Sequence, residues 1–161
     1  MEEKVKIHDE TIVINSDTNS LTPRIILLVL TTISFLIPIV ATIVAILIWE
    51  LKPAIIITYI IFGLSGYFFL KLYLWNKHGK EILSLKRDKI NYHADYKIFI
   101  GNKREINSDA VKIEYLESVE EKKENFGTLK LSNDNAIIET VIQLTLNDLE
   151  RIKNKINEYY T

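Results

Sequence analysis

His93 and Asp95 stand two residues apart between Tyr92 and Tyr96, so on an extended strand both side chains share one face. An imidazole next to a carboxylate is the arrangement of an oriented general base. No serine or cysteine follows in a nucleophile motif, and the two residues read as a surface pair. The other histidines, His8 and His78, fall in turns and lack metal-ligand spacing. The chain has no cysteine, which removes thiol nucleophiles, disulfides and Cys-ligated zinc together. Its five glycines, at 63, 66, 79, 101 and 127, are scattered, so no loop is built to cradle phosphate. Glu120-Glu121 adjoin Lys122-Lys123, which is a solvated loop rather than an acid/base pair. The sequence therefore reads as non-enzymatic, with no catalytic residue, metal site or cofactor.

Charge is more informative than any motif. From residue 76 to 104 there are eight basic residues against three acidic ones, and from 105 to 124 three against seven. Over all 161 residues, 20 Lys+Arg meet 21 Asp+Glu, a net charge of −1, which argues against nucleic acid as the partner. The basic run points to anionic lipid headgroups, through Lys77, Lys80, Lys86, Arg87, Lys89, Lys103 and Arg104. Each such residue near an anionic leaflet contributes about 1 kcal/mol of attraction. Three readings stay open for it: a plain topology signal on a solvated surface, a nonspecific orienting contact, and a specific headgroup pocket.

These residues need elements to hold them, and the apolar residues supply two. Ile25 to Trp49 is a run of 25 residues without an ionisable side chain. As a helix it would be roughly 37 Å long, more than the ~30 Å hydrocarbon core of a bilayer. Glu50-Leu51-Lys52-Pro53 interrupts it, and a second run, Ala54 to Leu70, continues past Lys71 to Trp75. Two spans with so short a link are antiparallel, so both flanks lie on one side of the membrane, and 18 of the 20 basic residues lie on those flanks. The positive-inside rule then makes both termini cytoplasmic. Residues 1 to 24 carry three basic and five acidic side chains, the wrong sign for a signal peptide. Ser34, Pro38, Ala41 and Ala45 form a small-residue stripe, and Gly63 and Gly66 offer its counterpart for helix–helix packing. Pro38 predicts a kink. With no ionisable group at mid-span, the pair reads as an anchor rather than a transport path.

The flanks alternate with period two. Val5 and Ile7, then Ile12 and Ile14, predict a β-hairpin within residues 1–24 that packs on the C-terminal flank, residues 76–161. There, Leu83 and Leu85 turn through Arg87-Asp88 to Ile90 and Tyr92, and Ile98 and Ile100 precede a turn predicted at Gly101-Asn102. Val111 to Tyr115, Phe126 to Leu131 and a last strand over Ile137 to Leu144 follow, with a charged loop over Glu117 to Asn125. Asn147 with Glu150 predicts a capped helix over 147–160, apolar at Leu149, Ile152 and Ile156. The expected fold class is an α+β membrane protein: a helical hairpin over 25–75 (25–49 and 54–75) and a small antiparallel β domain closed by a C-terminal helix.

Three segments carry a family resemblance: Trp75-Asn76-Lys77-His78-Gly79-Lys80-Glu81-Ile82 after the second span, Asn102-Lys103-Arg104-Glu105-Ile106 before the strand from Val111, and Leu146-Asn147-Asp148-Leu149 at the last helix. With the order of elements, they resemble the bacterial membrane-anchored proteins with a pleckstrin-homology-like (PH-like) cytoplasmic domain. The resemblance implies a partly open β-barrel capped by one helix, at the inner membrane. It implies a binding or scaffolding module with a protein partner or self-association. The alternative is an accessory subunit whose hairpin assembles with a transporter or membrane enzyme.

Overall fold

Alternating inward and outward side chains build most of the residues outside the apolar runs into strands. The structure, a computed structural model, describes residues 3–16, 21–49, 53–109, 111–117 and 125–160. In chain order they form β1 (Val5–His8), β2 (Thr11–Asn15), α1 (Leu21–Leu47), α2 (Ala54–His78), β3 (Lys80–Lys86), β4 (Lys89–Asp95), β5 (Ile100–Asn107), β6 (Lys112–Glu117), β7 (Phe126–Ser132), β8 (Ile137–Glu139), β9 (Leu144–Thr145) and α3 (Leu146–Tyr160). The chain divides into two units, residues 1–17 with 78–161, and residues 18–77. The architecture is α+β, with two long apolar helices, antiparallel sheets and a C-terminal helix.

In the β unit, the first sheet has the order β1-β2-β3-β4-β5, antiparallel throughout, and the second pairs β7 with β6, β8 and β9. The N-terminal hairpin joins the C-terminal flank by extending its sheet, with Val13 opposite Ile82. Val5, Ile12 and Ile14 are fully buried, together with Leu83, Leu85, Ile90, Ile106, Leu129, Leu131 and Leu144. Helix α3 covers this core with Leu149, Ile152 and Ile156. At roughly 1.5–3 kcal/mol per buried aliphatic side chain, the hairpin's three contribute about 5–9 kcal/mol. That is comparable with the whole stability of a small domain, so the hairpin belongs to the core.

Three local expectations are corrected. The turn between β4 and β5 lies at Tyr96–Phe99, not at Gly101-Asn102, which belong to β5. Asp95 Oδ1 accepts the Lys97 amide at 2.7 Å, and Lys97 takes a left-handed φ of 73°, so an Asx turn closes the hairpin early. Gly101-Asn102 instead accompanies a β-bulge, where pairing shifts between Tyr92 and Ala94 and Asn102 has φ 51°. The strand expected over Ile137 to Leu144 is split into β8 and β9. Thr140 turns out of the ladder, exchanging hydrogen bonds with the Leu129 backbone through its hydroxyl and amide. The helix cap is Thr145, not Asn147: Thr145 Oγ1 accepts the Asp148 amide and donates to Asp148 Oδ2 at 2.8 Å, so the N-cap lies two residues earlier and α3 starts at Leu146. The charged loop expected over Glu117 to Asn125 falls mostly outside the described residues. The register of the middle strands is now set by the pairs Ile90 with Ile106 and Ile113 with Leu131. At Gly127 no side chain fits, because a Cβ would stand 2.7 Å from the Leu116 carbonyl oxygen.

In the helical unit, α1 starts four residues before and stops two before the expected 25–49, and α2 starts at the expected Ala54 but runs three residues past 75. Helix α1 begins at Leu21, ahead of the proline Pro23, and α2 runs on through polar Asn76 and Lys77. Both are long and apolar enough to cross a bilayer. Arg24 Nε donates to the Asn76 carbonyl at 3.0 Å, Phe35 meets Gly66, and the Thr42 and Tyr59 hydroxyls lie 3.1 Å apart. These pairs descend one helix as they climb the other, which fixes an antiparallel register. Helix α1 continues through Pro38, whose carbonyl accepts the Thr42 hydroxyl at 2.8 Å.

Candidate functional site

The seven basic residues singled out in the sequence do not form one surface. Lys80 and Lys86 open and close the same strand, β3. Six residues of strand separate them by about 20 Å, more than two Debye lengths at physiological salt. Lys86, Arg87 and Lys89 gather at the β3–β4 turn, where Lys86 faces Lys89. Lys80 lies at the other end, opposite Asp95 and next to Lys97. Lys103 and Arg104 project from the middle of β5. Antiparallel reversal spreads over a sheet what is contiguous in sequence.

Several of these charges are already committed. Lys89 pairs with Glu105 at 3.0 Å, and Arg104 Nη1 donates to the Ile137 carbonyl at 3.0 Å, tying β5 to β8. Lys77, in the helical unit, donates to the Tyr73 hydroxyl at 3.1 Å and lies over its ring. Lys80, Lys86, Arg87, Lys97 and Lys103 make no ion pair among the described residues.

His93 lines a cleft of about 460 Å³ opened by the β-bulge, with Asn91, Ile100, Lys103 and Glu105. Asp95 shares its strand face, but its carboxylate holds the Lys97 amide and is spent on the turn. The surface-pair reading of the two residues fits this arrangement.

The polar centre of the domain is Glu81, which the sequence singles out only as part of the segment from Trp75 to Ile82 and not as a buried group. Its side chain is fully buried, and Oε1 accepts the Tyr92 hydroxyl at 2.6 Å and the Val141 amide at 2.7 Å. Oε2 accepts the Ile142 amide at 3.2 Å. One carboxyl thus holds β3, β4 and the bend between β8 and β9, replacing the ladder bonds that the bend gives up. Burial pushes the Glu81 carboxyl above its ordinary range, although the three hydrogen bonds oppose this. Burial and the neighbouring Glu81 push the Tyr92 hydroxyl far up as well. With both oxygens engaged by three donors from β4 and the β8–β9 bend, this group clamps the fold. Its signal was in the sequence: Glu81 shares the alternation phase of Leu83 and Leu85, and Tyr92 that of Ile90, so both had to point inward.

Of the small residues in the helices, Ser34, Pro38, Ala45 and Gly66 are buried. A Cβ on Gly66 would stand 3.0 Å from the Phe35 ring, whereas one on Gly63 would meet nothing within 4 Å. The close approach therefore occurs at Gly66 and not at Gly63, because the Phe35 ring fills the gap there; Ala41 is only half-buried.

Comparison with protein-family models, with curated proteins and with solved structures finds no match for this chain.

Proposed function

We propose that the chain is a membrane-anchored, non-enzymatic binding or scaffolding module. A two-span hairpin carries a PH-like domain at the cytoplasmic face of a bacterial inner membrane. The observation that carries this reading is the surface of α1 and α2. Their outward side chains, from Ile25 and Leu36 to Ile46 on one helix and from Ile57 to Phe68 on the other, are large and apolar. Such an area far exceeds the patches that soluble monomers expose. The hydroxyls of Thr31, Thr32, Thr42, Thr58 and Ser65 all donate to the carbonyl four residues back, which leaves few polar groups for lipid to desolvate.

The accessory-subunit reading needs a small-residue face free for a partner helix. Ser34, Pro38 and Gly66 are instead buried within the chain, which favours a self-contained anchor. The test is a topology assay in bacterial cells. A reporter fused after Thr161 is expected to be active in the cytoplasm, and one inserted at residues 50–52 in the periplasm, with the chain resisting alkaline carbonate extraction. Carbonate release, or the opposite reporter pattern, refutes the reading.

A further inference from the structure

The β domain has two ends, and they differ in what they expose. At one end lie Asn15, Lys80, Asp95 and Ile100, paired side by side across β2 to β5. At this end the chain also leaves for both long helices. The Ser16 amide donates to the Gly79 carbonyl at 2.9 Å, which holds the two exits together one residue from the unit's boundaries at 17 and 78.

The same end carries exposed aliphatic side chains. Ile98 is 72% exposed at the tip of the β4–β5 turn, and Ile100 follows it. Val141 is 63% exposed on the β8–β9 bend, which the Glu81 clamp fixes beside β3 through the Val141 and Ile142 amides. Lys97 directly precedes Ile98 and lies beside Lys80 and Asp95; neither lysine has an ion pair among the described residues, and the Asp95 carboxylate accepts the Lys97 amide. Both protruding segments are rigidly held. The turn has its Asx bond, a Tyr96 amide to Phe99 carbonyl bond at 3.0 Å, and stacked Tyr96 and Phe99 rings.

We infer that this end of the β domain docks on the lipid bilayer surface. Ile98 and Val141 enter the headgroup boundary, and Lys80 and Lys97 meet anionic headgroups. Two observations select lipid as the occupant. Both chain connections to the helices leave from this end, at Ser16 and Gly79, so short tethers keep it within reach of the surface those helices enter. An aliphatic tip next to lysines that make no ion pair among the described residues also matches an interface that is apolar below and anionic above. The opposite end, with Lys86, Arg87 and Lys89, is about 20 Å away and stays in water. This inference rests on the membrane-anchored reading and adds the orientation of the domain.

The test uses the full chain in lipid nanodiscs, where the absence of native cysteine permits single nitroxide labels. Labels at Ile98→Cys, Val141→Cys, Arg87→Cys and, within α1, Ile43→Cys are compared for accessibility to oxygen and to a water-soluble nickel complex. With anionic phosphatidylglycerol in the disc, Ile98 and Val141 labels are expected to be oxygen-accessible and nickel-shielded, and the Arg87 label nickel-accessible. Lys80→Glu with Lys97→Glu is expected to weaken docking roughly fivefold or more per lysine removed, read as returned nickel access at the Val141 label. Ile98→Asp should do the same at that label in discs of any charge. Nickel access at Ile98 equal to that at Arg87, with the Ile43 label lipid-embedded, overturns the docking inference alone. A water-accessible Ile43 label overturns the anchored reading beneath it. An Ile98 label shielded from both reagents indicates protein contact with a second copy and also overturns the inference.

Discussion

Replacing Glu81 by alanine removes the acceptor of three donors at once: the buried Tyr92 hydroxyl and Ile142 amide and the part-buried Val141 amide, now at 2.6, 3.2 and 2.7 Å. A buried donor left unpaired costs about 1–3 kcal/mol. Water can reach the Val141 amide, since that side chain is exposed, so the sum falls at about 3–5 kcal/mol, a large part of a small domain's stability. Tyr92→Phe removes one bond to the carboxyl and should cost about 1.5–3 kcal/mol. The double variant should cost less than the two singles together. Glu81→Gln keeps the acceptor for Tyr92 and Val141 but turns an NH2 group towards the Ile142 N–H, so its cost lies between. The carboxyl also sets a pH dependence. Because burial raises the Glu81 pKa above its ordinary 4.5, the folded state holds the proton more tightly than the unfolded chain. Its contribution is greatest below 4.5 and is lost as pH rises through the raised folded value; Glu81→Gln should abolish that slope. The assay is urea unfolding of the full chain in detergent micelles, with hydrogen exchange read at the Val141 and Ile142 amides. A cost under about 1 kcal/mol for Glu81→Ala, with both amides still protected, would refute the clamp.

Two further substitutions separate neighbouring candidates. Gly66→Leu should push α2 off the Phe35 ring and abolish disulfide crosslinking between Thr42→Cys and Tyr59→Cys. Gly63→Ala, with nothing within 4 Å of its Cβ, should leave crosslinking intact, and equal effects of the two would contradict the packing. Thr145→Ala removes the α3 cap and should cost about 1 kcal/mol in urea unfolding. Asn147→Ala, inside the first turn, should stay within about 0.5 kcal/mol; a larger loss at Asn147 would restore it as the cap.

Which features were legible depended on whether they are local. The two apolar helices follow from unbroken apolar runs, and the hairpin at Val5 to Ile14 and the amphipathic α3 from periodicity, because each of these last two buries one face. The early turn at Tyr96–Phe99 was hidden because glycine is the stronger general turn signal, and here an Asp95 side chain substitutes for it while Gly101 serves a bulge. The split of the last strand was hidden for a different reason. It depends on Glu81 reaching a segment sixty residues later in the chain, which no local pattern reports. What could have been read is that Glu81 sits in the inward phase and must find partners somewhere.

The basic run shows the same limit in functional terms. Lys80 and Lys86 are six residues apart, a spacing that in sequence suggests one patch, yet β3 carries them to opposite ends of the sheet. The rigidity of the domain then decides their fates separately. Tyr160, at the end of α3, donates its hydroxyl towards the Lys86 carbonyl at 2.8 Å and the Lys89 carbonyl at 3.1 Å, so the β3–β4 turn is pinned and cannot fold back towards Lys80. At a spacing of over two Debye lengths, a membrane surface that attracts Lys80 and Lys97 exerts almost no pull on Arg87. If the domain is anchored as proposed, charge reversal at Lys86 and Arg87 therefore should not lift it from the bilayer. Any binding lost through those residues must belong to a partner approaching from the aqueous side.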